Sequence, residues 1–197
     1  MNKIDRNKTI RIIGKGPTVT DRIKRNSDEI IVALNSAVII CDDVDFLFMN
    51  DRNNIDKIPQ SQFKRPSCIV IPTFPHLEKN ERPHSNYSYI KFIRDMGFTK
   101  QINKTKIYVH QLESSPNLVE NIPCFGKTMS IADTAIAWFI YHGFKNFETE
   151  GITLKHGYST FFSKEKLSKN HSLEWLKENT ESILKRIDAA DAKIKIN

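Results

Sequence analysis

The sequence predicts an α/β fold, a single domain built on a mostly parallel sheet flanked by helices. Short runs rich in Ile, Val, Leu and Phe recur at 10–13, 29–35, 44–50 and 67–73. Unbroken apolar runs of this length suit strands covered on both faces, the situation of a central parallel strand. The first run passes directly into Gly14, Lys15, Gly16, Pro17 and Thr18, and a polar, helix-permitting segment from Asp21 to Asn26 follows. That is the order of a Rossmann-like first βα unit. A length of 197 residues allows one full-sized core and argues against two domains.

The later elements follow the same grammar. Residues 52–65 are polar and read as a surface excursion, and Pro72 and Pro75 stop the fourth strand. A loop holding His76 and His84 precedes a helix over 87–98, where Tyr89, Ile90, Phe92, Ile93 and Met96 recur at helical spacing. Lys106–His110 is a short alternating strand. Ser130–His142 is the strongest helix, with small residues at Ala132, Ala135 and Ala137 for close packing on a sheet and Gly143 as its stop. A strand over 144–152 ends at Gly151. The last helix spans 172–189, with Leu173, Leu176, Ile183, Leu184 and Ile187 available for an inner face, and 192–197 is a final short strand.

Composition narrows the class. No stretch approaches the roughly 18 apolar residues of a membrane helix, and the first residues lack the apolar core of a secretory signal, so a cytoplasmic location is expected. The three cysteines, Cys41, Cys68 and Cys124, lie far apart and suggest neither a disulfide framework nor a zinc ribbon. A net charge of +7 suits a phosphorylated ligand, a polyanion or peripheral contact with an anionic membrane face. The basic residues are scattered, which argues against specific nucleic-acid binding.

Candidate site residues gather where strands end. Gly14 and Gly16 can bring amide N–H groups up to a phosphate, and Lys15 between them adds a mobile positive charge; an ordinary tight turn reads equally well. Asn35 and Asn50 close the second and third apolar runs, where strands of an open α/β sheet deliver side chains to one crevice. An asparagine there suits a base, a ribose or a sugar hydroxyl, and it also suits a turn. Thr128 and Ser130 can cap the Ser130–His142 helix or hold an anion at its positive end. His156, Tyr158, Ser159 and Thr160 crowd proton-handling groups beside Gly157.

These blocks, taken in order, resemble the bacterial sialyltransferases and their animal counterparts. They are the turn Gly14–Thr18, the run Val32–Asn35, Phe48–Asn50, the helix ending Tyr141–Lys145, and Glu150–Ile152. The skeleton is also similar to Rossmann-like proteins of the pterin-pyrophosphokinase type. The resemblance implies inverting transfer of a sugar from a CMP-sugar donor to a glycan acceptor hydroxyl, with no required metal or other cofactor. It implies donor contacts at Gly14, Gly16, Thr18, Asn35 and Asn50, a donor-carboxylate site near Thr128 and Ser130, a phosphate contact at Tyr158, and a general base at His171. His156 is the rival base, and His171 can equally be a polar residue at a helix start. Lys15 stands where the family has asparagine, and Thr153 where it has aspartate after Gly151-Ile152.

Two other readings stand beside it. A Mg²⁺/ATP-dependent pyrophosphokinase would set Lys15 against an ATP phosphate and would need a metal cluster from Asp42, Asp43, Asp45 and Asp51. A basic nucleic-acid-binding module would show affinity that falls steeply with salt. Donor sugar, acceptor and oligomeric state stay open.

Overall fold

The computed structural model describes residues 4–50, 57–73, 105–111, 113, 118, 120–152, 157–162 and 172–197. The expected helix over 87–98 and the loop holding His76 and His84 lie outside the described residues. Seven strands form one sheet: β1 Thr9–Ile13, β2 Glu29–Leu34, β3 Phe46–Phe48, β4 Cys68–Pro72, β5 Lys106–His110, β6 Asn146–Glu150 and β7 Lys193–Ile196. Their spatial order is β5-β4-β3-β2-β1-β6-β7, and every neighbouring pair is parallel. The order reverses at β1, with β2 to β5 laid down on one side and β6 and β7 on the other. In open α/β sheets that reversal marks where the ligand crevice lies.

Apolar pattern and position agree strand by strand. All six residues of β2 are buried, as a strand with neighbours and cover on both sides requires. β6 alternates, burying Phe147 and Thr149. β7 closes one edge of the sheet, and its Lys193 and Lys195 put charge on that edge strand, a common guard against edge-to-edge association.

The two faces are covered differently. On one, the helices α1 (Ile131–Tyr141) and α2 (Leu173–Ala189) bury Ala132, Ala135, Ile136, Trp138, Phe139, Ile183 and Ile187 on Ile10, Ile12, Val32, Phe46, Phe48 and Val70. Trp138 and Phe139 both meet Phe46 and Phe48, with ring centroids 5.1 to 6.0 Å apart. The other face carries Ile13, Ile31, Ala33, Leu47, Ile69 and Ile71. Among the described residues its cover comes from loops and 3-10 turns that supply Val19, Ile23, Val38, Ile40, Phe63 and Phe162.

Several expectations are corrected here. Residues 21–26 form no helix; Ile23, their one apolar residue, instead bridges in parallel to Cys41 and donates its amide to Ile40. With a single apolar side chain the segment has no stripe to bury as a helix. The supposed surface excursion plants Ile58 and Phe63 in the core. In α2 only Asn179, Ile183 and Ile187 are buried, at strict four-residue spacing, while Leu173 and Leu184 are exposed. Cys41 and Cys68 are buried and Cys124 is exposed.

A buried charge ties the two helices together. Asp133, fully buried in the first turn of α1, accepts from Arg186 Nε at 2.7 Å and Ser182 Oγ at 3.0 Å, both on α2, and from the Met129 amide at 3.1 Å. Removing one member of such a pair strands the other. We expect Asp133→Ala to lose about 3 kcal/mol in urea unfolding. Lys145→Ala, which breaks the exposed Lys145–Asp191 pair, should change stability by less than about 1 kcal/mol.

Candidate functional site

At the reversal point the turns after β1 and β6 press backbone against backbone. Gly14 donates its amide to the Glu150 carbonyl at 2.7 Å, and Gly16 donates to the Gly151 carbonyl at 2.8 Å. A Cβ on Gly14 would overlap the Gly151 carbonyl oxygen, and one on Gly16 would stand 2.6 Å from the same atom. Gly151 has φ +69°, and a Cβ there would meet Val19 Cγ2 at 2.7 Å and the Gly14 carbonyl at 2.8 Å. No side chain fits at any of the three. Thr18 completes the knot: its hydroxyl accepts from the Gly151 amide at 3.1 Å and donates to the Asn197 carbonyl at 3.3 Å. The Gly14 and Gly16 amides, read as phosphate donors from the sequence, are thus spent within the chain.

Lys15 and Tyr158 come together beside this knot. The Lys15 ammonium lies 4.7 Å from the Tyr158 ring centroid and 5.9 Å from that of Phe162, and the Lys15 carbonyl accepts from the Ser159 amide at 2.8 Å. The 157–162 segment is therefore fastened to the β1 turn, with Phe162 sunk in the core. A cation over an aromatic face is held there electrostatically.

Thr128 and Ser130 act within the protein. Ser130 caps α1, its hydroxyl accepting from the Asp133 amide at 3.1 Å, and the Thr128 hydroxyl meets that of Thr134 at 2.9 Å. The Asp133 carboxylate already supplies the negative charge that the positive end of α1 favours. Ser130 thus caps the helix, while Thr128 pairs with Thr134. His156 and His171 lie outside the described residues.

Asn35 and Asn50 differ from all of these. Both are nearly buried, and neither side-chain carbonyl oxygen has a hydrogen-bond partner among the described residues. Asn35 also holds φ +51°, a left-handed conformation that asparagine tolerates better than most residues. The same condition recurs along the sheet. Thr73 Oγ1 after β4, both ring nitrogens of His110 at the end of β5, and Ser159 Oγ beside Lys15 are buried without partners. A row of unsatisfied polar atoms thus runs along the carboxyl edge of β1 to β5. Each such atom costs roughly 1–3 kcal/mol, so a cluster of them at one edge calls for an explanation. Thr73 and His110 were not singled out from the sequence. The signal was present, since each follows or ends an apolar strand run as Asn35 and Asn50 do.

The charged groups lie elsewhere. Arg11, in β1, bridges Glu29 at 3.2 Å and Glu150 at 2.5 Å, tying three strands together. Asp42 pairs with Arg22 at 2.9 Å, and Asp45 pairs with Arg25 at 3.0 Å while accepting the Ile31 amide. Asp42, Asp43 and Asp45 precede β3, at the opposite edge of the sheet from Lys15, and Asp51 lies outside the described residues. Among the described residues no group of three or more His, Cys, Asp or Glu could hold a metal. Burial pushes the Cys41 thiol up to about 12, which makes it inert as a nucleophile at neutral pH.

No protein-family model, curated protein or solved structure matches the chain. Its class rests on the fold: a parallel α/β domain of Rossmann-like type, with a polar crevice edge at the carboxyl ends of its strands. No helix among the described residues is long and apolar enough to cross a membrane.

Two measurements test this geometry. Gly151→Ala places a methyl against backbone at a left-handed φ, and it should cost about 2 kcal/mol or more in urea unfolding. His110 provides the second. Burial lowers its pKa from 6.5 to about 4, with the Gln111 backbone acting in the opposite direction without a good hydrogen bond to either ring nitrogen. The unfolded chain therefore binds a proton at His110 between pH 6.5 and about 4 that the folded chain does not. Stability should fall on acidification through that window, by up to about 3 kcal/mol from this residue, and His110→Phe should flatten that part of the profile.

Proposed function

We propose that the chain is a glycosyltransferase of the sialyltransferase type, which transfers a sugar from a CMP-sugar donor to an acceptor hydroxyl with inversion. The observation that carries this reading is the pair of buried, unpartnered carbonyl oxygens on Asn35 and Asn50, at the carboxyl ends of adjacent central strands. A carbonyl oxygen accepts, and a nucleoside offers donors at its exocyclic amine and ribose hydroxyls, so a bound cytidine would satisfy both. The Lys15–Tyr158 pair beside the β1 turn supplies a cation and a phenol for the departing phosphate.

The chemistry follows from those roles. Breaking the bond from sugar to phosphate builds positive charge on the sugar and negative charge on the leaving oxygen. Lys15 and Tyr158 would stabilise that oxygen, which is the larger electrostatic contribution in such sites. The acceptor hydroxyl must lose a proton as it attacks, and His171, with His156 as the rival, is proposed as the base. General-base assistance of this kind is typically worth about 10²–10⁴-fold.

CMP should stabilise the protein in the absence of Mg²⁺. At 100 times its dissociation constant the linkage contribution is about 2.7 kcal/mol, which corresponds to a melting-temperature rise of roughly 5–10 °C for a chain of this size. Asn35→Ala and Asn50→Ala should each weaken CMP about tenfold, the loss of one good hydrogen bond. Stabilisation by ATP that requires Mg²⁺, with no effect of CMP, would overturn the proposal in favour of pyrophosphoryl transfer. Binding to a DNA oligonucleotide that collapses with salt, again without CMP binding, would favour a nucleic-acid module.

A further inference from the structure

The donor reading uses Asn35 and Asn50 and leaves the outer part of the polar edge unassigned. Residues Phe48, Val70 and Tyr108 form one cross-strand row on the helix-bearing face. Two residues further along each chain, the next row of the same parity is Asn50, Pro72 and His110. His110 is paired in register with Pro72, and the Met49 amide still bonds to the Val70 carbonyl just before Asn50. The row is therefore polar at both ends and apolar in the middle. It carries three buried acceptor or donor atoms with no partner among the described residues: Asn50 Oδ1, His110 Nδ1 and His110 Nε2. Phe125 lies against His110, with ring centroids 6.0 Å apart. Gly126, next in the chain, has φ +68° and open space where a Cβ would stand.

We propose that the Pro72–His110 end of this row, beneath Phe125, is a subsite for the hydroxyl face of a neutral carbohydrate acceptor, with His110 as a specificity-determining residue. The assignment rests on the glycosyltransferase reading for the word acceptor and on geometry for the rest. A neutral imidazole presents one N–H donor and one bare acceptor nitrogen whichever tautomer it adopts. Sugar hydroxyls, each able to donate and to accept, match that pair. Pro72 offers an apolar surface for the C–H face of a sugar ring, and Phe125 covers the His110 ring. The row contains no cationic or anionic side chain, which disfavours a charged ligand, and His110 stays neutral down to about pH 4.

The test is NMR of histidine-labelled protein in the presence of CMP, titrated with D-glucose, D-galactose, D-mannose and N-acetyl-D-glucosamine. At least one sugar should shift the His110 ring signals saturably. Phe125→Ala, which removes the cover, should tighten that sugar about tenfold. His110→Phe, and His110→Gln as a second variant, should abolish its binding while far-UV circular dichroism shows the fold retained. No shift of the His110 signals with any of the four sugars, in both the native protein and Phe125→Ala, would overturn the proposal. So would undiminished sugar binding by both His110 variants. If a sugar shifts His110 while CMP produces neither spectral change nor stabilisation, the carbohydrate subsite stands and the CMP-sugar reading falls.

Discussion

The backbone contact between the β1 and β6 turns is the constraint on which the rest of the structure depends. Gly14, Gly16 and Gly151 close on one another with no room for a side chain. That contact brings together two strands separated by more than 130 residues, and it sets where the strand order reverses. Arg11 adds a second fastening across the same strands through Glu29 and Glu150. Thr18, the Lys15 carbonyl and the 157–162 segment are then carried to fixed places around the knot. The amides of Gly14 and Gly16 serve the fold, and the ammonium of the lysine between them lies over the Tyr158 ring.

Polar groups are distributed by kind. The buried and half-buried charges are matched: Asp133 with Arg186, Arg11 with its two glutamates, and Asp45 with Arg25. At the carboxyl edge, Ser159, Asn35, Asn50, Thr73 and His110 each carry a buried neutral polar atom that has no partner among the described residues. Leaving a buried charge unpaired would cost several kcal/mol, whereas an unpaired amide, hydroxyl or imidazole costs less and can be recovered by a ligand. In the proposed reading, a site prepared in this way selects neutral hydrogen-bonding groups and leaves negative charge to Lys15.

Much of the fold was legible because parallel strands buried on both faces must be written as continuous apolar runs, and β1 to β4 are. The helix α1 announced itself through Ser130 at its start, Gly143 at its end and its small apolar residues. What could not be read was cover without periodicity. Ile23, Ile58 and Phe63 are single apolar residues in polar stretches, and only the sheet they cover shows why each is buried. Leu173 and Leu184 show the reverse, since an apolar residue on a helix stays exposed when the helix outruns or turns away from its neighbour. At the site, Asn35 and Asn50 were legible by their position at strand ends. The Asp133–Arg186 pair was not, because the partner of Asp133 comes from another helix.

In the proposed reading a nucleotide lies across the carboxyl ends of β1 to β3. The most direct measurement is a two-dimensional ¹⁵N spectrum of the labelled protein with and without CMP, following the side-chain amides of Asn35 and Asn50 and the backbone amide of Ser159. Bound CMP is predicted to move all three saturably with one dissociation constant, leaving the Lys193 and Lys195 amides of the distant β7 edge unchanged. Shifts confined to β7 or spread over exposed lysines, with the two asparagine side chains unmoved, would contradict it.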